Sequence, residues 1–382
     1  MRLAVAALAA FLLSACATPT SWNPLRWMGI MDPPPNQPTP LTEIKATVTP
    51  KAVWTASVGK AGGYRFRPDI TEGRIYTASV EGVVTVLDES GRVVARHETK
   101  KKLSGGVRVG GDKIVVGTAK GEVIALAMDG QTAWTTPLAG EIIAPAAISR
   151  NTVAARTSDG RIFGLSLEDG KRKWVYQRPT PALLLRTEAG VLAIGNDVVA
   201  GYPNGKLIAL DLDDGKLTWE VSVSSPRGAT ELERIADVAG VPLIDGPRVC
   251  AAAYQGKVAC FEIQSRNVLW ARDLSSSRSL AADAKNIYVV DDTSNVHALD
   301  KSAGASVWKQ DKLLHRRLSS PIVYEGQVVV GDGQGFLHVL SPEDGALIGR
   351  LATDGSAILT IIPAPNGLLL QTEKGSMVMV RF

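Results

Sequence analysis

Short apolar runs rich in β-branched residues recur along this chain, as at 114–116, 287–290 and 328–330, each closed by Gly, Asp or Asn. Runs of this length bounded by turn formers are the pattern of strands joined by hairpins. One stretch sets the template. It predicts an inner strand at 144–148, a second at 152–157, a third at 161–167 and an outer strand carrying Trp174, with Gly160 and Gly170 marking the turns. The interval from Gly160 through Leu165 and Gly170 to Trp174 is echoed by Gly205, Leu210, Gly215 and Trp219. The same frame returns as Gly121, Leu126, Gly130, Trp134, as Gly256, Phe261, Trp270, as Ser294, Leu299, Gly304, Trp308, and as Gly335, Leu340, Gly345, after opening with Gly82, Leu87 and Gly91.

Successive starts lie 38 to 51 residues apart, close to the roughly 40 to 50 residues of a four-stranded propeller blade. An eighth start at Gly375 reaches the end of the chain after its third strand, while 52–56, with Trp54, is an outer strand that has no unit before it. The expected fold is therefore all-β: an eight-bladed β-propeller of four-stranded antiparallel blades over 51–382, its ring closed by strand 52–56 beside 376–381. Closure of this kind leaves no open sheet edge at the seam. The regular spacing of Trp54, Trp134, Trp174, Trp219, Trp270 and Trp308 points to packing between blades rather than to ligand stacking.

Ahead of the repeats, Arg2 and an apolar stretch at 3–13 lead to Leu13-Ser14-Ala15-Cys16. The stretch is too short for a permanent membrane span and is that of a signal peptide over 1–15. Leu-Ser-Ala-Cys resembles the lipobox of bacterial lipoproteins, which implies lipidation at Cys16, and Ala17 in the following position implies the outer membrane. Several acyl chains make such an anchor stable where one would be marginal. From 16 to 50 the chain is proline-rich, with Pro33, Pro34 and Pro35 in a row, and has no strand-like alternation; it is expected to be a flexible tether.

Composition adds mostly exclusions. A net charge of +4 on 382 residues, without a long basic run, gives nucleic acid no footprint. His97, His297, His315 and His338 fall in different repeats without metal-ligand spacing. The pairs Glu168 and Asp169, Asp213 and Asp214, and Asp291 and Asp292 sit at hairpin turns, where Asp caps the turn. There is no serine elbow and no phosphate loop leading into a helix. Catalytic residues, a cofactor and a metal are accordingly not expected. Cys250 and Cys260 flank a predicted hairpin; an oxidising compartment permits a disulfide between them, and the other reading is two small buried side chains whose strand offset does not suit a bridge.

Function is expected where the repeat is interrupted, since insertions into such folds gather in loops on one face. Two interruptions follow successive outer strands and should be neighbours. The first, 177–189, contains Pro181-Ala182-Leu183-Leu184-Leu185-Arg186; the second, 222–240, contains Thr230-Glu231-Leu232-Glu233-Arg234-Ile235-Ala236-Asp237. Thr230 with Glu233 fits a capping box for one helical turn.

Two resemblances follow. The tryptophan repeat resembles that of the quinoprotein alcohol dehydrogenases, members of the pyrroloquinoline-quinone-type propeller superfamily; that likeness implies an enzyme, but the vicinal cysteine pair of those enzymes has no counterpart here. The lipobox, the propeller and three segments together resemble the BamB family, propeller lipoproteins of the outer-membrane β-barrel assembly machinery. The segments are the leucine-arginine run ending at Arg186, the stretch 230–237, and Asp311-Lys312-Leu313-Leu314-His315-Arg316 followed by Ser320-Pro321. This second likeness implies a non-enzymatic scaffold on the periplasmic face of the outer membrane. It would bind BamA through Leu183, Leu185, Arg186 and Asp237, with Glu231, Glu233 and Arg234 as additional contacts, and could hold unfolded outer-membrane clients at its exposed strand edges. Where the family often carries a second Asp, this chain has Ala239, so the acidic part of the contact is expected to be weaker or shifted.

Overall fold

Each repeat folds as four antiparallel strands whose burial follows their place in the blade. In residues 147–176 the strands are Ala147–Ser149, Thr152–Arg156, Ile162–Ser166 and Arg172–Tyr176. The second and third are buried on both faces, while the outer one alternates, which is why the middle strands have continuous apolar runs and the outer ones carry charge. The computed structural model describes residues 36–179, 181, 183–186 and 190–382; the expected signal peptide at 1–15 and the expected lipidation site Cys16 lie outside them. Two units divide the chain, 1–38 and 39–382, and the second holds all the strands among the described residues.

Eight four-stranded sheets form blades 1 to 7, at 69–98, 103–137, 147–176, 191–222, 243–273, 281–310 and 322–352, and blade 8, at 358–381. Blade 8 takes its outer strand, Lys51–Ser57, from the other end of the chain, in antiparallel register from Lys51 opposite Arg381 to Ser57 opposite Ser376. The expected ring closure is thus present, and it covers Met377 and Met379, both buried.

One bulge recurs in every blade. The register of the outer strand slips by one residue just before its tryptophan, skipping Lys173 ahead of Trp174 and Val53 ahead of Trp54, and by the same step at the equivalent places elsewhere. A bulge bends the strand and re-aims the next side chain, and here it turns the indole onto the following blade. Trp134, Trp174, Trp270 and Trp308 donate their Nε1–H to the carbonyls of Leu167, Leu212, Lys301 and Pro342 at 2.8 to 3.0 Å. Each ring lies flat against a glycine of that next turn: Gly170, Gly215, Gly304 or Gly345, where a Cβ would come within about 2.5 Å of the indole. These glycines also have positive φ, so two independent constraints select the same residue. Losing one such tryptophan costs about 3–5 kcal/mol.

The exceptions are informative. Arg266, at φ 64°, stands where the other turns have glycine, and Trp219, which should dock there, is only half-buried. At the outer strand of blade 7 the tryptophan position is Gly349, and the carbonyl of Val48 and ring of Pro50 occupy the space instead. The chain enters the ring at this point, because blade 8 has no hairpin turn there to receive an indole. Residues 39–50, expected as tether, are therefore laid on the propeller. Thr39 N–H donates to the Leu314 carbonyl (3.0 Å), Thr47 and Val48 N–H to that of Ile348 (2.9 and 3.0 Å), and Ile44 packs on the core of blades 6 and 7.

Two further features are settled by the fold. Of the two readings of Cys250 and Cys260 the disulfide is the one formed, because they stand directly opposite each other in neighbouring strands with no offset between them. His338, on the third strand of blade 7, is fully buried, its Nε2 2.9 Å from Asp332, which also accepts from Arg316 Nε at 2.7 Å. Arg316 and Arg350 reach on to the carbonyls of Thr39 and Thr42 (2.8 and 3.1 Å), so this buried pair anchors the entering chain.

Candidate functional site: a loop face around Arg186

The two interruptions of the repeat, after blades 3 and 4, lie side by side. Leu185 N–H donates to Asp237 Oδ2 at 2.8 Å, and Asp237 Oδ1 accepts from Asn204 N–H at 3.2 Å. With 5% of its surface exposed, Asp237 sits beneath the loops and holds them together. A short acidic residue here satisfies backbone donors of the loop after blade 3 and of a turn in blade 4. Arg156, at the end of a blade 3 strand, feels its charge and donates to the Gly201 carbonyl at 2.5 Å.

In the second loop the capping box forms as expected: Glu233 N–H donates to Thr230 Oγ1 (3.3 Å), and Glu233 Oε2 accepts from the amides of Thr230 and Ala229 (3.1 and 2.8 Å). These bonds hold the Glu233 carboxyl below its usual value. Glu233 is thus spent on shaping the turn, whereas Glu231 and Arg234 form a loose exposed pair at 3.9 Å, of little energetic weight. The turn lifts Leu232 into solvent, 66% exposed, and Leu183 on the first loop is 41% exposed. Between the loops lies a cavity of about 320 Å³ lined by Pro179, Pro181, Leu183, Pro226, Arg234 and Ile235 among others.

Arg186 is exposed but not loose. Its Nε and Nη2 grip Glu141 at 3.1 and 2.8 Å, its guanidinium lies 5.5 Å from the centre of the Tyr64 ring, and Tyr64 Oη–H donates to Glu141 Oε1 at 2.9 Å. Burial pushes the Glu141 carboxyl up, but the hydrogen bonds from Arg186 and Tyr64 outweigh it and hold the group below its usual value. The same bond raises Arg186, which stays charged. Tyr64, between the closing strand and blade 1, and Glu141, between blades 2 and 3, escaped sequence reasoning, as did Leu232. None of the three belongs to a repeat position; Tyr64 and Glu141 are marked only by their meeting with Arg186, and Leu232 only by its exposure. Leu185 is half-buried and Ala239 buried.

The arrangement can present apolar side chains and a pre-oriented guanidinium to a protein surface. Among the described residues no group of three or more His, Cys, Asp or Glu could hold a metal ion. The fold and this face define an eight-bladed propeller whose departures from its own repeat converge on one loop surface. The family description "Outer membrane protein assembly factor BamB" matches residues 80–310. The chain is 43% identical over 328 residues to the assembly factor BamB of Nitrosomonas eutropha, covering 85% of this chain and 80% of that one, and 39% identical over 343 residues to that of Burkholderia pseudomallei, covering 89% and 90%. The crystal structure of BamB from Moraxella catarrhalis superposes with a TM-score of 0.82 at 27% identity, over 87% of this chain and all of that one. The chain belongs to the BamB family. A quinohemoprotein alcohol dehydrogenase from Comamonas testosteroni, at 12% identity and a TM-score of 0.70 over 87% of this chain and 76% of that one, shares the fold alone.

Proposed function

We propose that this protein is an outer-membrane protein assembly factor that works without catalysis, as a scaffold docking BamA within the β-barrel assembly machinery. Family membership supports the assembly role and an association with the outer membrane. The observation that carries the docking surface is Arg186, held in a two-bonded grip by Glu141 and flanked by exposed Leu183 and by Leu185. Arginine with apolar neighbours is the composition of interface hot spots, and a side chain already held in place loses less entropy on binding. In this reading Leu183, Leu185, Arg186 and Leu232 meet the partner. Glu231 and Arg234 sit at the rim, and Asp237 acts through the loops it holds. A lipid on Cys16 keeps the propeller at the periplasmic face, and exposed outer strands can hold client strands. The protein needs no cofactor for this role.

The test is BamA binding by Arg186→Ala and by Leu183→Ala with Arg186→Ala. Arg186→Ala should cost about 2 kcal/mol, a loss of roughly thirtyfold in affinity, with melting unchanged because the loop lies outside the core. Normal BamA recovery by the double variant, from protein that melts as wild type, would place docking on another face. Dye reduction on adding the quinone would instead favour an enzyme.

A further inference from the structure

The blades surround a channel, and its mouth on the face of the Arg186 loop opens into a cavity of about 510 Å³. Five arginines line it: Arg65, Arg67, Arg108, Arg186 and Arg278, contributed by the segment before blade 1, by blade 2 and by the loops after blades 3 and 5. Among the described residues no Asp or Glu lines it. Two described carboxylates stand near the wall, Asp69 and Glu141, and both are engaged. Asp69 accepts from Arg108 Nη1 at 3.3 Å and from the amides of Val109 and Ile70 at 2.7 and 3.1 Å; Glu141 is taken by Arg186 and Tyr64.

Arg67 is the most telling of the five. It is open to water, yet the ring encloses it, and that enclosure, followed by the like charge of Arg108, lowers its pKa against the opposing pull of Asp69. Like charges gathered in a concave, partly desolvated space repel each other and focus a positive potential on whatever enters. The rest of the wall is not that of a bare phosphate site. It includes the apolar side chains of Val191, Leu280, Ile322, Leu359 and Ile361. Several of these lie on the innermost strands Val191–Ile194, Ile322–Tyr324 and Ile358–Ala364, each the terminal strand of its sheet on the channel side. The cavity lies in the size range of sites that enclose small organic ligands or short peptide segments, and an inorganic anion would leave its apolar wall unfilled.

We propose that the channel mouth binds an acidic peptide segment with apolar side chains, an exposed loop or chain end of another protein, whose carboxylates meet Arg67 and Arg108 while its apolar side chains cover the inner strands. The cavity shares Leu185 and Arg186 with the docking surface proposed above, so its test uses Arg67 and Arg108, which that surface does not include.

The probe is a short fluorescently labelled peptide of alternating Glu and Leu, titrated onto the purified protein by polarisation, with a Lys–Leu peptide as counterpart. The acidic peptide should bind and weaken with added salt, since screening acts on partly exposed charge, and the basic one should not bind. Arg67→Gln should weaken binding about tenfold, in line with loss of a hydrogen bond to a charged group, and Arg67→Gln with Arg108→Gln should abolish it. Arg92→Gln removes a charge from the turn before the outer strand of blade 1, where Arg92 is 82% exposed beside Asp88, and should change nothing. Arg67 has no hydrogen-bonding partner to strand among the described residues, so its variant should melt as wild type. Equal binding by the Arg67 and Arg108 variants, equal binding of the basic peptide, or displacement by inorganic phosphate at the peptide's own concentration would each overturn the proposal.

Discussion

Replacing Asp237 by alanine separates a residue that touches a partner from one that holds the touching residues in place. The carboxylate accepts from Leu185 N–H at 2.8 Å and from Asn204 N–H at 3.2 Å while 5% exposed. A hydrogen bond to a charged group contributes about 1.5–3 kcal/mol. The longer bond belongs at the bottom of that range, and half-buried Leu185 can recover part of its loss from water. Asp237→Ala should therefore destabilise the local loop structure by about 2–3 kcal/mol. Native-state hydrogen exchange reads this directly: protection of the Leu185 amide should fall roughly thirtyfold or more, whereas amides in the middle strands of blade 4, such as Ile208, should keep theirs. BamA affinity should fall with it, because Leu183 and Arg186 are released from their positions. Asp237→Asn keeps an acceptor in the same shape and should retain an intermediate protection. Wild-type protection at Leu185 and Asn204 combined with lost BamA binding would refute the clamp and return Asp237 to the interface itself.

Arg266→Gly should stabilise the protein by about 1 kcal/mol in denaturant melts, because a non-glycine residue at φ 64° is strained and the other turns of this kind show what glycine permits. Deleting 51–57 should lower the melting midpoint sharply and promote self-association, since it uncovers Met377 and Met379 and leaves the strand Ser376–Arg381 without its neighbour; an unchanged melt would mean the closure is dispensable. Burial pushes His338 below the usual histidine value, with Arg350 and Arg316 adding to it and Asp332 opposing. The unfolded chain thus takes up the proton first, and stability should decline as pH falls below about 6.5. Asp332, itself held low, adds its own loss only in stronger acid, so His338→Gln should flatten the decline between about pH 6.5 and 5.

Much of this molecule is local and therefore legible from its residues in order. Strand and turn positions follow from short β-branched runs and glycines, because a blade is a meander of sequence neighbours, and the period of the glycine-to-tryptophan interval carries the number of blades. The lone Trp54 strand and the unfinished eighth unit imply each other, since a sheet edge on each would otherwise be exposed. Thr230 and Glu233 also belong to this class: a capping box is completed within four residues.

What depended on the ring is where distant segments meet. Asp237 has the composition of a surface contact and becomes a buried clamp because Leu185 and Asn204 converge on it from neighbouring segments. Arg186 acquires its orientation from Glu141 and Tyr64, which lie 45 and 122 residues back along the chain in different inter-blade segments. Residues 39–50, featureless as a pattern, are ordered by the gap at Gly349 and by Arg316 and Arg350. The five arginines of the channel mouth are scattered singly through the sequence and become one field only when eight blades bring their loops to a common axis. Local rules act through the spacing of neighbours, whereas charge and packing act through distance in space, and closure of the ring is what sets those distances.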